Sequence, residues 1–392
     1  MKRLLLLFGT IGWLHADTKI NNEVLDQLIQ LLENDSATQS LIISNDERII
    51  HEYYANNYSQ NNLATSWSIA KTFYAALIGV AIQQDLIDYS DLEKPISYFV
   101  PELKLDSKSD ITLYNILAMK TGLEITEYLN EEMFLSINNL DFAMNVDPKE
   151  EQGNVYEYNN VNTMLLNPII ESIFGLTPHE VLISEIFNPL NIKDYGLWKD
   201  SAGNDMTYYG VDLRPIDFMK FAHLVMNKGK QNGVQIIDEK FMFDSIQPIS
   251  RGTGEWFGLH WSVRKFNESK TLVGLEVTDG QTMFLIPEER LAMVRFTKYF
   301  HNPDKGHQVK FGPLEYLLWM PYSWIKYITT LVAAETAPGV EPVDDPSINF
   351  PDTKSLGVSE LNCPFTAPDE CYGVSKIQDL FFGLGESATT LK

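Results

Sequence analysis

The stretch Ser66-Trp67-Ser68-Ile69-Ala70-Lys71-Thr72-Phe73 opens a long apolar segment that predicts a helix over about residues 68–82. Thr65 and Ser66 are cap-type residues ahead of it, and a polar stretch at 85–91 ends it. On such a helix Ser68 and Lys71 are three positions apart and share a face, so a hydroxyl and an amine meet one turn from each other. A serine needs a base to become a nucleophile, and a lysine can serve only if its pKa is brought down. Burial and the positive end of the helix dipole both disfavour an ammonium there. The spacing alone does not single out Ser68, because Ser262-Val263-Arg264-Lys265 also satisfies it. That second match lies in a strand-like stretch, where residues three apart face opposite ways.

Upstream, Val24, Leu25, Leu28 and Leu32 recur at helical spacing, followed by two apolar runs at 41–43 and 49–54 around the polar turn Asn45-Asp46-Glu47. This reads as a helix and then a β-hairpin. Residues 95–200 look mainly helical and are punctuated by prolines. Strand character returns at 256–263, 271–277, 281–286 and 291–297, with Asp279-Gly280 as a two-residue turn signal. The order predicts an α/β (α+β) chain, an antiparallel sheet flanked by helices, whose N- and C-terminal strands meet around an inserted, mainly helical subdomain. A closing helix is expected at 314–331, kinked at Pro321. Residues 1–16 read as a signal peptide, with basic Lys2 and Arg3 ahead of an apolar run too short to span a bilayer. The organisation expected is therefore a leader at 1–16, one domain at 17–332, and a Pro-, Asp-, Ser- and Thr-rich tail or appendage at 333–392. Export to the periplasm or the medium follows, with no stable membrane insertion.

The formal charge is −23, and removing Lys2 and Arg3 with the leader makes it −25. Such a field repels nucleic-acid phosphates and anionic lipid headgroups. The two cysteines, Cys363 and Cys371, are permitted to pair in an exported chain and lack a local histidine for a zinc site. His260, between Leu259 and Trp261, reads as a packing or hydrogen-bonding histidine.

The octapeptide at 66–73, together with Lys94-Pro95-Ile96-Ser97-Tyr98-Phe99-Val100-Pro101-Glu102-Leu103 and residues 111–124, resembles the serine β-lactamase and penicillin-binding-protein superfamily. The likeness is strongest to the class C β-lactamase-like branch that includes esterases and 6-aminohexanoate-dimer hydrolases, and it covers about residues 20–330. The resemblance implies a β-lactamase/transpeptidase-like fold with Ser68 as nucleophile and Lys71 as base. The family's Tyr-x-Asn element matches Tyr158-Asn159-Asn160, which implies a proton-shuttling Tyr158 and an Asn160 that orients substrate and lysine. Tyr54-Ala55-Asn56 and Tyr128-Leu129-Asn130 also fit the triplet, and order along the chain selects Tyr158. Lys120-Thr121-Gly122 spells the family's third element but stands too early, matching a post-helix turn instead. At the expected strand stands Leu272-Val273-Gly274, without a cation unless Lys270 replaces it. The oxyanion hole would then use the N–H groups of Ser68 and Leu275 beside Gly274; a second register, Asp279-Gly280-Gln281, moves that donor to Gln281.

The reaction implied is acyl transfer to Ser68 from a small-molecule ester or amide, with no metal or organic cofactor. β-Lactamase and cell-wall DD-peptidase activity are the rival chemistries, since both act on carboxylate-bearing substrates that want the missing cation. A binding protein that keeps the fold without catalysis is the rival of another kind.

Overall fold

The computed structural model describes residues 20–34, 38–105, 107–126, 129–251, 256–265, 271–277, 281–297 and Leu384. The leader, the closing helix, Lys270, the Asp279-Gly280 turn, Tyr128 and both cysteines lie outside the described residues.

Helix α1 (Asn22–Glu33) is capped by the Asn21 side chain, which accepts from the Val24 N–H at 3.3 Å. It buries Val24, Leu28 and Leu32, a stripe at four-residue spacing, and each such side chain contributes roughly 1.5–3 kcal/mol through burial. Strands β1 (Thr38–Asn45) and β2 (Arg48–Tyr54) form the expected hairpin. Its turn places Asp46 and Glu47 at φ 48° and 63°, and Arg290 reaches both carboxylates, at 2.5 and 2.8 Å. Positive φ at both central residues matches the turn to the right-handed twist of the strands.

After β3 (Ala64–Thr65) the chain makes a tight 3₁₀ turn, Trp67–Ile69, and enters helix α2 (Ala70–Gln83), whose residues 70–82 are all buried. Such a helix has no need of an amphipathic stripe, because every side packs against protein. Ser66 does not cap it: its hydroxyl donates to the Trp67 carbonyl and accepts from the Val211 N–H. A mainly helical region follows, interrupted by β4 (Tyr195–Leu197), β5 (Val211–Leu213) and the small hairpin of β6 (Lys230–Gln231) and β7 (Val234–Gln235). β5 pairs on one side with β4 and on the other with β3.

The remaining strands are β8 (Ser250–Arg251), β9 (Trp256–Phe257), β10 (Ser262–Lys265), β11 (Thr271–Val277), β12 (Gln281–Ile286) and β13 (Leu291–Thr297). They complete an eight-stranded antiparallel sheet in the order β2-β1-β13-β12-β11-β10-β9-β8. β1 pairs with β13, so the two ends of the domain do come together around the helical region. The single strand expected at 256–263 is broken. A side chain at Gly258 would meet the Ser245 carbonyl oxygen at 2.0 Å, and His260 stands at φ 63°, so the chain bends before β10 begins. β11 and β12 pair in register from Val273↔Leu285 to Val277↔Gln281.

The sheet buries both faces. One face carries Leu41, Ile43, Leu272, Phe284 and Met293 against α1. The fully buried Leu384 joins this layer, its carbonyl accepting from the Asn21 N–H at 2.8 Å. The other face, with Ile42, Val263, Val273, Met283 and Leu285, packs toward α2 and the main core.

Candidate active site

The 3₁₀ turn at the head of α2 sets the position of Ser68. Trp67, directly before it, is held at φ 42°, a region that costs a bulky residue about 1–3 kcal/mol. The surroundings fix it there: the rings of Tyr209, Trp198 and Phe134 stand 5.1, 5.6 and 6.1 Å from that of Trp67. The backbones of Ser66 and Val211 are bonded to each other, and next along, Thr65 Oγ1 donates to Asp212. The turn thus presents Ser68 as a buried hydroxyl, 4% exposed, where two structural units meet.

Lys71 lies one turn further on and is 1% exposed. Its Nζ lies 3.0 Å from Ser68 Oγ, 2.7 Å from Asn160 Oδ1 and 3.1 Å from the carbonyl oxygen of Tyr208. Among the described residues no carboxylate pairs with it; the rings of Tyr209, Tyr158 and Tyr208 face it with centroids at 4.7, 5.3 and 5.7 Å. Burial therefore pushes its pKa well below the usual lysine value.

Tyr158 and Asn160 enter from the start of the helix Asn160–Met164, which Asn159 caps by accepting from the Asn162 N–H. Asn160 is fixed at both ends: its N–H donates to Asn130 Oδ1 at 2.6 Å, and its Nδ2 donates to Tyr209 Oη at 3.0 Å. The Tyr158 ring centroid stands 5.3 Å from Lys71 Nζ, and its hydroxyl end lies close enough to Ser68 for the serine to influence its acidity. Its ring keeps 36% of the residue's surface open, so the site meets solvent past this ring, while the hydroxyl end is sunk. Desolvation pushes its pKa up to about 12, against a smaller lowering by Ser68. The direction is opposite to that of a tyrosine whose anion is favoured by a neighbouring ammonium: this phenol rests protonated and can donate.

β11 and β12 pack beside the Ser68 turn. Gly274 has φ 155°, and a Cβ there would meet the Met283 carbonyl oxygen at 2.1 Å, so the strand passes too close to β12 for any other residue. The β10 ladder on β11 ends at the pair Ser262↔Gly274, and from Leu275 onward only β12 is paired with β11. Gln281, the donor of the second register, sits in β12 between β11 and β13, with its side chain bonded to Thr297. Leu272 points to the α1 layer, on the sheet face opposite the one that packs toward α2. A lysine at this position would therefore not face Ser68, contrary to what the motif position suggests.

The other sequence matches make no hydrogen bond to Ser68 or Lys71 among the described residues. Tyr54 is in β2 and donates to Glu52. Ser262 opens β10, and Thr121 donates to Asn162 Oδ1 behind the helix 160–164. Asn130, from a discarded Tyr-x-Asn triplet, turns out to hold Asn160. His260 is buried; its Nδ1 and backbone N–H both donate to the Leu117 carbonyl, and Thr163 Oγ1 donates to Nε2. Desolvation lowers its pKa to about 3, so it is neutral and structural. Motif reading missed the segment Thr207-Tyr208-Tyr209-Gly210-Val211-Asp212, which touches Lys71, Asn160, Ser66 and Thr65 in turn. Its only sequence signal is an aromatic pair and a glycine before a short strand.

A family model described as Beta-lactamase matches residues 25–311. Among solved structures, a Bacillus anthracis protein assigned as a 6-aminohexanoate-dimer hydrolase superposes with TM-score 0.61 at 21% identity, covering 82% of this chain and 86% of that one. A penicillin-binding protein from Bacillus halodurans matches at TM-score 0.55 and 15% identity, over 69% and 94% of the two chains. A D-stereospecific amidohydrolase from Streptomyces gives 0.56 and 14%, over 70% and 94%. These likenesses establish the fold. No curated protein matches the sequence.

Proposed function

This chain belongs to the beta-lactamase family and is a serine hydrolase, and from that premise we propose that Ser68 is its nucleophile and that it acts on uncharged esters or amides. The observation that carries the reading is the environment of Lys71 Nζ. A neutral amine has two hydrogens and one lone pair. Asn160 Oδ1 and the Tyr208 carbonyl can only accept, so they take both hydrogens and leave the lone pair for the Ser68 hydroxyl.

As Ser68 Oγ bonds to the acyl carbon, its proton passes to Lys71 and the carbonyl oxygen becomes an oxyanion. The N–H groups of Ser68 and Leu275 are the donors assigned to it, beside the close passage at Gly274. Tyr158 gives its proton to the leaving group and is reprotonated by the Lys71 ammonium. Water then attacks the acyl-enzyme, losing a proton to the same pair, which returns it to Ser68.

The substrate class follows from β11. Thr271–Val277 carries no basic residue, it includes Glu276, and the chain is strongly acidic. A carboxylate left without a charged partner in a desolvated site costs about 1–3 kcal/mol or more. Neutral p-nitrophenyl esters should therefore leave a mass adduct on Ser68 and turn over, with carboxylate-bearing cephalosporins slower by roughly 10-fold or more. Leu272→Lys should lose stability without gaining cephalosporin acylation, because it buries a charge against α1. Equal turnover of esters and cephalosporins by the parent would overturn the substrate assignment, and an adduct elsewhere than Ser68 would overturn the mechanism. The Lys2–Arg3 leader pattern supports export as part of the same reading.

A further inference from the structure

We infer that the π face of Tyr209 sets the proton affinity of Lys71, standing in for the carboxylate counter-ion that no described residue supplies to this buried base. The inference rests on the reading of Lys71 as the base of Ser68.

Once Lys71 has taken the serine proton it is an ammonium inside protein. The groups facing Nζ are Ser68 from its own turn, Tyr158 and Asn160 from the entry to the helix 160–164, and Tyr208 and Tyr209 from the segment before β5. His260, from the loop before β10, is buried and neutral. Among the described residues none of these brings a negative charge. The favourable partners of the cation are two oxygen acceptors and three aromatic faces, and a desolvated aromatic face attracts a cation appreciably.

Tyr209 is distinguished among the three rings. Its centroid is nearest, at 4.7 Å, and the residue is 4% exposed. The ring is locked between Trp67, Phe134 and Tyr208, with centroids 5.1, 5.5 and 4.6 Å away. Its hydroxyl accepts from Asn160 Nδ2, so the same residue orients the amide whose oxygen holds Nζ. Tyr158, by contrast, stands farther from Nζ, at 5.3 Å, and is partly open to water. Tyr209 is thus a positioning residue that acts through Lys71 and Asn160.

The experiment is an NMR titration of ¹³Cε-labelled lysine in the intact protein, with the Lys71 resonance assigned as the one lost in Lys71→Met. It needs no turnover, so it is independent of whether Ser68→Ala abolishes hydrolysis, which tests the underlying reading. Tyr209→Leu should lower the Lys71 pKa by about 0.5–1.5 pH units, the size expected for loss of a buried cation–π contact. Tyr209→Phe, which keeps the ring face and loses only the bond to Asn160, should lower it by less than half as much. Because Tyr209→Leu opens a gap beside Trp67, a second series keeps the shape: phenylalanine carrying one, two and three ring fluorines at position 209 should lower the pKa stepwise as π density is withdrawn. A flat response across the fluorinated series, or a fall in Tyr209→Phe equal to that in Tyr209→Leu, would overturn the assignment to the ring face.

Discussion

On the helical side of the site, Ser68, Lys71, Asn160 and Tyr209 are joined through particular side-chain atoms at 2.7–3.0 Å, with the Tyr208 carbonyl 3.1 Å from Lys71 Nζ and the Tyr158 ring facing it. On the sheet side, β11 offers a main chain pressed against β12 at Gly274, with a leucine turned away to α1 and no basic residue along its length. The first wall needs residue identities, because proton transfer depends on which atom carries hydrogen and at what pKa. The second needs only backbone placement, because an oxyanion is held by N–H groups that every residue except proline has. Chemistry and recognition are therefore encoded differently, and substitutions on the two walls should differ sharply in cost.

The largest effect is expected at the nucleophile. Ser68→Ala should reduce kcat for p-nitrophenyl acetate by roughly 10⁴-fold or more, as when a covalent catalyst is removed. Ser262→Ala, which removes the equally spaced serine from β10, should leave kcat within about two-fold; a comparable loss there would collapse the distinction between the walls. Tyr158→Phe comes next, with a fall of roughly 10²-fold or more in kcat, since the phenol donates the leaving-group proton. Its pKa of about 12 keeps the parent phenol protonated across neutral pH. Activity should therefore decline as pH falls and Lys71 becomes protonated, with no loss from Tyr158 below about pH 11; a basic limb near pH 8 that disappears in Tyr158→Phe would contradict this.

This asymmetry also accounts for what could be read from the sequence. The helix bearing Lys71 was legible because a long apolar run admits few alternatives, although Ser68 lies in the 3₁₀ turn ahead of it, and Tyr158-Asn159-Asn160 was legible from its order relative to that helix. β11, β12 and β13 were legible to the residue from their apolar runs. The face that Leu272 adopts was not, because a motif position carries no information about which way an apolar strand residue turns. Tyr208 and Asn130 were hidden for another reason. Tyr208 gives Lys71 a backbone carbonyl, which leaves no trace in residue identity, and Asn130 reaches Asn160 across 30 positions. Tyr209 acts by proximity to a lysine 138 positions away, a relation visible only after folding.

The smallest expected effect lies where the two walls are fastened together. His260 sits just before β10, yet its three hydrogen bonds go to the helical region: two to the Leu117 carbonyl and one from Thr163. The two made by the ring, at Nδ1 and Nε2, need it neutral. Its folded pKa of about 3 is depressed below the ordinary value of 6.5 by burial, against a raising by the Leu117 hydrogen bond and with a smaller lowering by Lys71. A group depressed in the folded state contributes stability that is present above the unfolded pKa and is lost as pH falls, because the unfolded ring binds the proton more tightly. Unfolding free energy from urea titrations should thus decline from about pH 6.5 downward, with carboxylate groups adding their own share at lower pH. His179, buried and lowered to about 4, contributes in the same direction. His260→Asn tolerates the positive φ of this position and keeps a donor toward Leu117, but it loses the acceptor for Thr163. At pH 7.5 it should cost about 2 kcal/mol, and it should flatten the decline between pH 6.5 and 5 relative to the parent. A decline of the same depth in His260→Asn would show that the fastening between the walls does not depend on keeping this ring neutral.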